Sequence, residues 1–262
     1  MKNFVITVAR GFGSGGRAIA AKLADELNIH SYDNRILTLA SQYSGYPEHY
    51  FKEADETLNG SLITKQLQAL PKRHSPTGEL SRFTSDDRLF EYQKIIIEKL
   101  AASESCVIVG KCADYILKDY DNVVSIYVEA PRSYTLRRVM ERMDDITVEE
   151  AHHLITKTDK YRADYYKYYT GGNYWTNPVN YDLTFNNARL GDDRCVKLVL
   201  ECMKLKFGDD FKEYMKSIGK DICYAISLNF VIPAPRSFQS CPVPGFPAAF
   251  PSLSRGGDIL FL

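Results

Sequence analysis

The chain has 262 residues, 45% apolar and 25% charged, which suits one large α/β domain or two small ones in a soluble protein. Thirty-three basic and thirty-three acidic side chains cancel. That excludes a whole-molecule field able to recruit nucleic acid or an anionic membrane, so any anion must be held by a local cluster.

The first element in chain order is Phe4–Ala9 (FVITVA), a β-branched run that stops at a glycine cluster as a buried strand would. It is too short for a signal peptide, and no stretch nears the roughly 20 apolar residues of a membrane span. Six cysteines form no CxxC pair and no metal-like spacing with the five histidines, so the expectation is a cytoplasmic protein with reduced thiols. Arg17–Leu27 reads as a helix with Ile19, Ala20, Leu23, Ala24 and Leu27 on one face, and Ile29–Tyr32 as a short strand ending at Asp33. Strand, glycine turn, helix, strand is the opening of a parallel sheet.

The third strand is late. About seventy polar, helix-prone residues intervene, an insertion at 34–105 that closes with an amphipathic helix around Leu89–Leu100. Cys106–Gly110 and Val123–Glu129 are then two more buried-type strands, each followed by a helix. A lid region at 131–146 precedes a long helix opened by Thr147-x-x-Glu150, which has capping-box spacing. Asp182–Phe185 is a fifth strand and Arg194–Phe207 a closing helix. Six of the eleven prolines fall in the last thirty residues, so 220–262 reads as a tail, disordered or foreign to a domain spanning 1–219.

Gly11-Phe-Gly-Ser-Gly-Gly-Arg17 supports two motifs. As Gly11-x-x-x-x-Gly16-Arg17 it is a Walker A loop with arginine for lysine and Ala18 for the Ser/Thr. Backbone amides at Gly13, Ser14, Gly15 and Gly16, with the helix N-terminus, would cradle phosphate oxygens. As Gly11-x-Gly13-x-x-Gly16 it is a dinucleotide fingerprint, with Asp33 about where a ribose-binding acid belongs. Context separates them: a helical insertion after the second strand suits a kinase that grips a phosphate acceptor there. Arg17 also makes better sense as a phosphate clamp than beside a pyrophosphate already neutralised by amides.

Phosphoryl transfer needs several cations around the moving group. Arg132, Arg137, Arg138 and Arg142 follow the fourth strand, with Arg138 and Arg142 one helical turn apart. Asp159 and Arg162, at i, i+3 in the long helix, can pair on the surface or orient a guanidinium toward a substrate phosphate. Lys111 follows the third strand at the sheet's carboxyl edge, where α/β ligands bind. Seven tyrosines between Tyr161 and Tyr181, with Trp175, surround the pair as packing.

The segments ARGFGSGGRAIAAKLADEL, YDNRIL, CVIVGKCADYIL and TKTDKYRADYYKYYTG followed by YDLTFNN resemble the cytidylate kinase-like family of P-loop kinases, over roughly residues 1–205. The resemblance implies a P-loop kinase fold, a five-stranded parallel sheet flanked by helices, with a helical acceptor-binding insertion and a lid helix. It implies ATP held by Gly11–Arg17, Mg²⁺, and a cytidylate-like nucleoside monophosphate acceptor near Asp33, Lys111, Asp159 and Arg162. Arg17, Arg138 and Arg142 would serve the transferred phosphoryl group. This chain departs from the family pattern at Arg17, Ala18, Lys111–Cys112 and Thr135, the last standing where a first lid arginine is common. The alternatives are an NAD(P)-binding protein using the same glycines and a catalytically degenerate nucleotide-binding module.

Overall fold

The computed structural model describes residues 3–49, 51–52 and 85–220. Part of the insertion, 53–84, and the tail from 221 onward lie outside the described residues.

The elements run β1 (Val5–Arg10), α1 (Gly16–Leu27), β2 (His30–Tyr32), α2 (Arg35–Ser44), α3 (Ser85–Ser103), β3 (Cys106–Val109), α4 (Ala113–Ile116), β4 (Val123–Glu129), α5 (Arg132–Met140), α6 (Val148–Tyr169), β5 (Leu183–Asn186), α7 (Asn187–Leu190) and α8 (Asp192–Ser217). The five strands form one parallel sheet in the order β2-β3-β1-β4-β5. β3 therefore separates β1 from β2. In the dinucleotide-binding order 3-2-1-4-5-6 those two strands are neighbours, so the topology departs from that reading of the glycines.

Period-two alternation along β1 sorts its side chains between two layers. Phe4, Ile6 and Val8 face a core with Ile19, Leu23 and Leu27 of α1 and Val199, Met203 and Phe211 of α8. Val5, Cys106, Ile108 and Val123 face the opposite way, against Ile36 and Leu37 of α2 and Leu89 and Ile97 of α3. Burial on both faces is why these strands read as continuous apolar runs rather than alternating ones. A buried polar pair, Thr7 Oγ1 donating to Ser125 Oγ at 2.9 Å, links β1 to β4.

Thr147 caps α6 as its spacing predicts: its side chain accepts from Glu150 N, and the Glu150 carboxylate accepts from Thr147 N. Two boundaries differ from expectation. α5 ends at Met140, so Arg142 lies past the helix with its amide on Val139 O at 3.1 Å, and no helical turn stacks it on Arg138. α8 passes Phe207 and continues to Ser217, with a kink at Gly208 (φ 57°, ψ −131°). The kink turns the second half of α8 onto β1, where Phe211 meets Phe4 edge-on at 5.6 Å.

A Cβ at Gly208 would meet nothing within 4 Å, so substitution there tests the backbone conformation alone. Gly208→Ala should destabilise by about 1–3 kcal/mol, the usual cost of a non-glycine residue in so sparse a region. Denaturant unfolding with an unchanged m-value checks it.

Candidate functional site

Because every strand is parallel, all the carboxyl ends open on one edge, and the residues singled out by sequence follow them. Gly11 follows β1, Asp33 follows β2, Lys111 follows β3, and Glu129 and Asn187 stand at the ends of β4 and β5. This edge borders a cleft of about 760 Å³. Arg10, Arg17, Lys111, Arg138, Arg142, Lys157 and Arg162 line it, seven cations against the two carboxylates Asp33 and Asp114.

The glycine loop is enclosed by protein on its side-chain side. A Cβ on Gly11 would lie 2.6 Å from Glu129 Oε1, on Gly13 2.9 Å from Thr135 O, on Gly15 2.3 Å from Asn187 Nδ2, and on Gly16 2.6 Å from Arg10 Cβ. Gly13 and Gly15 also hold φ of 77° and 96°, which side chains disfavour. The loop's free face is therefore the cleft, and the first amides of α1, at Gly16, Arg17 and Ala18, are the orphan donors that a helix start leaves. Such a surface suits phosphate oxygens. Ser14 Oγ is fully buried, with no hydrogen-bond partner among the described residues. Thr135 is buried with its carbonyl against Gly13, so the arginine common at that position has no room.

Arg17 does not curl over the loop. Its Nε and Nη2 both donate to Asp33 Oδ2, at 2.8 and 2.5 Å, with the guanidinium side chain 64% exposed. Arg10 Nη2 approaches the same carboxylate at 3.5 Å. Arg138 reaches the loop: its Nη1 donates to Tyr134 OH at 2.8 Å, lies 3.4 Å from Asp192 Oδ1, and would stand 2.9 Å from a Cβ on Gly15. Arg142, exposed, lines the cleft from the turn after α5. Lys111 and Cys112 both hold left-handed φ, 59° and 54°, directly after Gly110 at 74°. Consecutive left-handed non-glycine residues are costly and concentrate at functional sites.

Asp159 and Arg162 pair at 3.4 Å, but each also grips the loop: Asp159 Oδ1 accepts from Phe12 N at 2.8 Å, and Arg162 Nη1 donates to Arg10 O at 3.0 Å. The two side chains pair with each other as their i, i+3 spacing allows, and their contacts with the loop come in addition to that expectation.

Three participants escaped the sequence reading. Asn187, buried, donates from Nδ2 to Ser14 O at 2.8 Å and to Asp192 Oδ1 at 2.7 Å, tying β5's end to the loop. Phe12 packs between α5 and α6, against Val139, Ala151 and Ile155. Asp114 is 5% exposed at the start of α4 and accepts from Tyr166 OH at 2.7 Å. Burial pushes its carboxyl up to about 6, opposed by the Tyr166 hydroxyl and the amides of Asp114 and Tyr115. Only Asp114 left a signal, an acid amid the apolar CADYIL segment.

The family model described as "Cytidylate kinase-like family" matches residues 5–189. No curated protein matches the chain significantly. The crystal structure of an uncharacterized protein from Eubacterium ventriosum is similar at 24% identity and a TM-score of 0.56, over 77% of this chain and 99% of that one. A shikimate kinase from Bacteroides thetaiotaomicron aligns at 12% identity and a TM-score of 0.43, over 77% of this chain and 98% of its own.

The buried Asp114 carboxyl generates a pH prediction. Ionising it is harder in the folded chain than in the unfolded one, so its contribution to stability is fullest below pH 3.8 and is lost as pH rises through about 6. Asp114→Asn keeps an oxygen for Tyr166 and never ionises. It should therefore gain on the wild type across that window, by about 3 kcal/mol at most, with the gain constant above pH 7. Paired melting curves at pH 4, 5, 6 and 7.5 measure it.

Proposed function

The chain belongs to the cytidylate kinase-like family, and on that premise we propose that it transfers a phosphoryl group from ATP to a nucleoside monophosphate, a cytidylate-like one first. The observation that carries this reading is the glycine loop, walled by protein behind and open in front to a cleft with seven cations. Such a loop presents amides and a helix start to phosphate while the cations offset charge spread over transferred oxygens.

When bound, ATP supplies the phosphoryl group and Mg²⁺ offsets part of its charge. The loop fits the nucleotide, because its glycines let the protein wall close directly behind the backbone while the other face opens on the cleft. For Mg²⁺, Ala18 offers no hydroxyl, and no cluster of three or more acidic, histidine or cysteine groups stands ready among the described residues. Magnesium is ordinarily held by one or two carboxylates, waters and the phosphates themselves. Asp33 is the carboxylate at the loop's mouth able to join that set.

Arg138 stands on the walled side of Gly15 and also lines the cleft, as Arg142 does. Asp33, Lys111 and Arg162 line the same cleft, and we assign them to the acceptor. The chemistry asked of these residues is positioning and electrostatic stabilisation, with no covalent intermediate. A second reading, a nucleotide-binding module without turnover, is favoured by the contact of Arg17 with Asp33 and by Ala18. The domain carrying all of this is read as residues 1–219.

ATP at a hundredfold excess over its Kd should stabilise the chain by about 2.7 kcal/mol, and NADH should not shift the melting temperature. A shift with NADH alone would reverse the proposal. ATP binding without phosphorylation of CMP, dCMP, UMP or AMP would select the second reading.

Arg17→Ala should weaken ATP binding and abolish turnover, yet leave the ligand-free melting temperature nearly unchanged, since an exposed ion pair contributes roughly 0–1 kcal/mol. Arg17→Lys should not raise turnover, because lysine is a point charge where the loop is adapted to a planar guanidinium. Calorimetric ATP titration of both variants, with initial rates, decides these outcomes.

A further inference from the structure

Helix α6 presents an inward stripe in which Ala151 and Ile155 are buried, and Tyr166 is buried further along it. Asp159 and Arg162 continue that stripe at helical spacing, where apolar residues would ordinarily pack. Besides pairing with each other, both hydrogen-bond main chain at the mouth of the glycine loop. The Phe12 amide donates to Asp159 Oδ1, 2.8 Å, and Arg162 Nη1 donates to the Arg10 carbonyl, 3.0 Å. The Phe12 ring lies 5.6 Å from the Arg162 guanidinium and packs on Ala151 and Ile155. The stretch where β1 becomes the loop is thus fixed by α6 through an amide, a carbonyl and a ring.

We propose that Asp159 is a positioning residue of the phosphate loop, fixing the Phe12 amide so that the following amides stay aimed into the cleft, and that Arg162 shares this task. The inference rests on the reading that the loop holds nucleotide phosphates, and it goes beyond that reading by giving Asp159 a role toward the nucleotide rather than toward the acceptor. Catalysis by positioning is sensitive to displacements of about 1 Å. A half-buried amide deprived of its acceptor costs enough to move the chain that carries it. Burial pushes the Asp159 carboxyl above its ordinary value, while the Phe12 amide and Arg162 pull it back. A carboxylate is thus retained on this stripe because it has backbone and guanidinium partners there.

The test uses the full chain, with Asp159→Ala and Asp159→Asn beside the wild type. Amide hydrogen exchange at Phe12 is followed without ligand, and ATP and CMP affinities are measured by calorimetry. Asp159→Ala should speed Phe12 exchange and weaken ATP binding, each by about tenfold or more, as expected for loss of a hydrogen bond to a charged group. CMP affinity should stay within about twofold, a split that general loss of stability would not produce. Asp159→Asn retains an oxygen for Phe12 and should recover most of the ATP affinity and the Phe12 protection.

An alanine variant that keeps ATP affinity but loses CMP would overturn the inference and return Asp159 to the acceptor. So would an asparagine variant no better than alanine, because charge rather than amide acceptance would then be what matters. Wild-type protein that binds no ATP would sink the proposed function and this role together. Wild-type binding matched by Asp159→Ala would sink only the role.

Discussion

Parallel pairing of β1 between β3 and β4 is the constraint on which the rest depends. It sends five carboxyl ends to one edge, so side chains from distant parts of the sequence meet with no long loop to bring them. It also buries β1 on both faces, leaving no slack for the chain to choose where the glycine turn begins: Gly11 N is held by Val128 O at 3.0 Å, one residue past the ladder. The loop inherits its position from the sheet.

Strand pairing cannot, however, fix the loop's conformation, and groups from β4, α5, α6 and α7 do so. Glu129 stands behind Gly11, Thr135 and Val139 behind Gly13, and Asn187 and Arg138 behind Gly15. α6 holds its first residues through Asp159 and Arg162. The groups behind Gly11, Gly13 and Gly15 stand where a Cβ would collide, so these glycines are required by packing as much as by dihedral angle. The same crowding accounts for Thr135, whose buried side chain and close carbonyl leave no space for a lid arginine.

Legibility in the sequence follows the range of the forces involved. β1, β4, α1 and the capping box of α6 were readable because each is decided by local pattern: continuous apolar residues, 3.6-residue periodicity, or reciprocal caps three apart. The end of α5 and the continuation of α8 were not. Glycine at 208 reads locally as a stop, yet burial of Phe211 and Met215 against the sheet draws the chain back into a helix. Among site residues, the glycines, Lys111 and Arg138 arrived where strand ends and spacing place them. Asn187 and Phe12 did not stand out, because an asparagine after a strand and a phenylalanine in a glycine loop mean nothing until the elements they touch are known. Arg17 follows the last glycine of the loop in sequence, but its partner is a carboxylate sixteen residues away across the sheet edge.

That partner is explained by charge balance. Seven cations around one cleft repel one another when no anion is present, and self-repulsion of this kind opposes compact folding. Close carboxylates answer it beside the loop: Asp33 takes Arg17 and approaches Arg10, Asp192 stands by Arg138, and Asp159 by Arg162. These pairs offset that repulsion in the ligand-free chain, and they also set the terms on which an anion enters. A polyphosphate meeting the loop must compete with Asp33 for Arg17, so the measured affinity is a difference between two favourable interactions. An exposed guanidinium suits that exchange, because the Arg17 charge is already largely hydrated when it leaves the Asp33 carboxylate. The half-buried pair at Asp159 and Arg162 is more expensive to separate. Of the two pairs, the one at the loop's helical end is thus built to be exchanged, and the one at its strand end to stay.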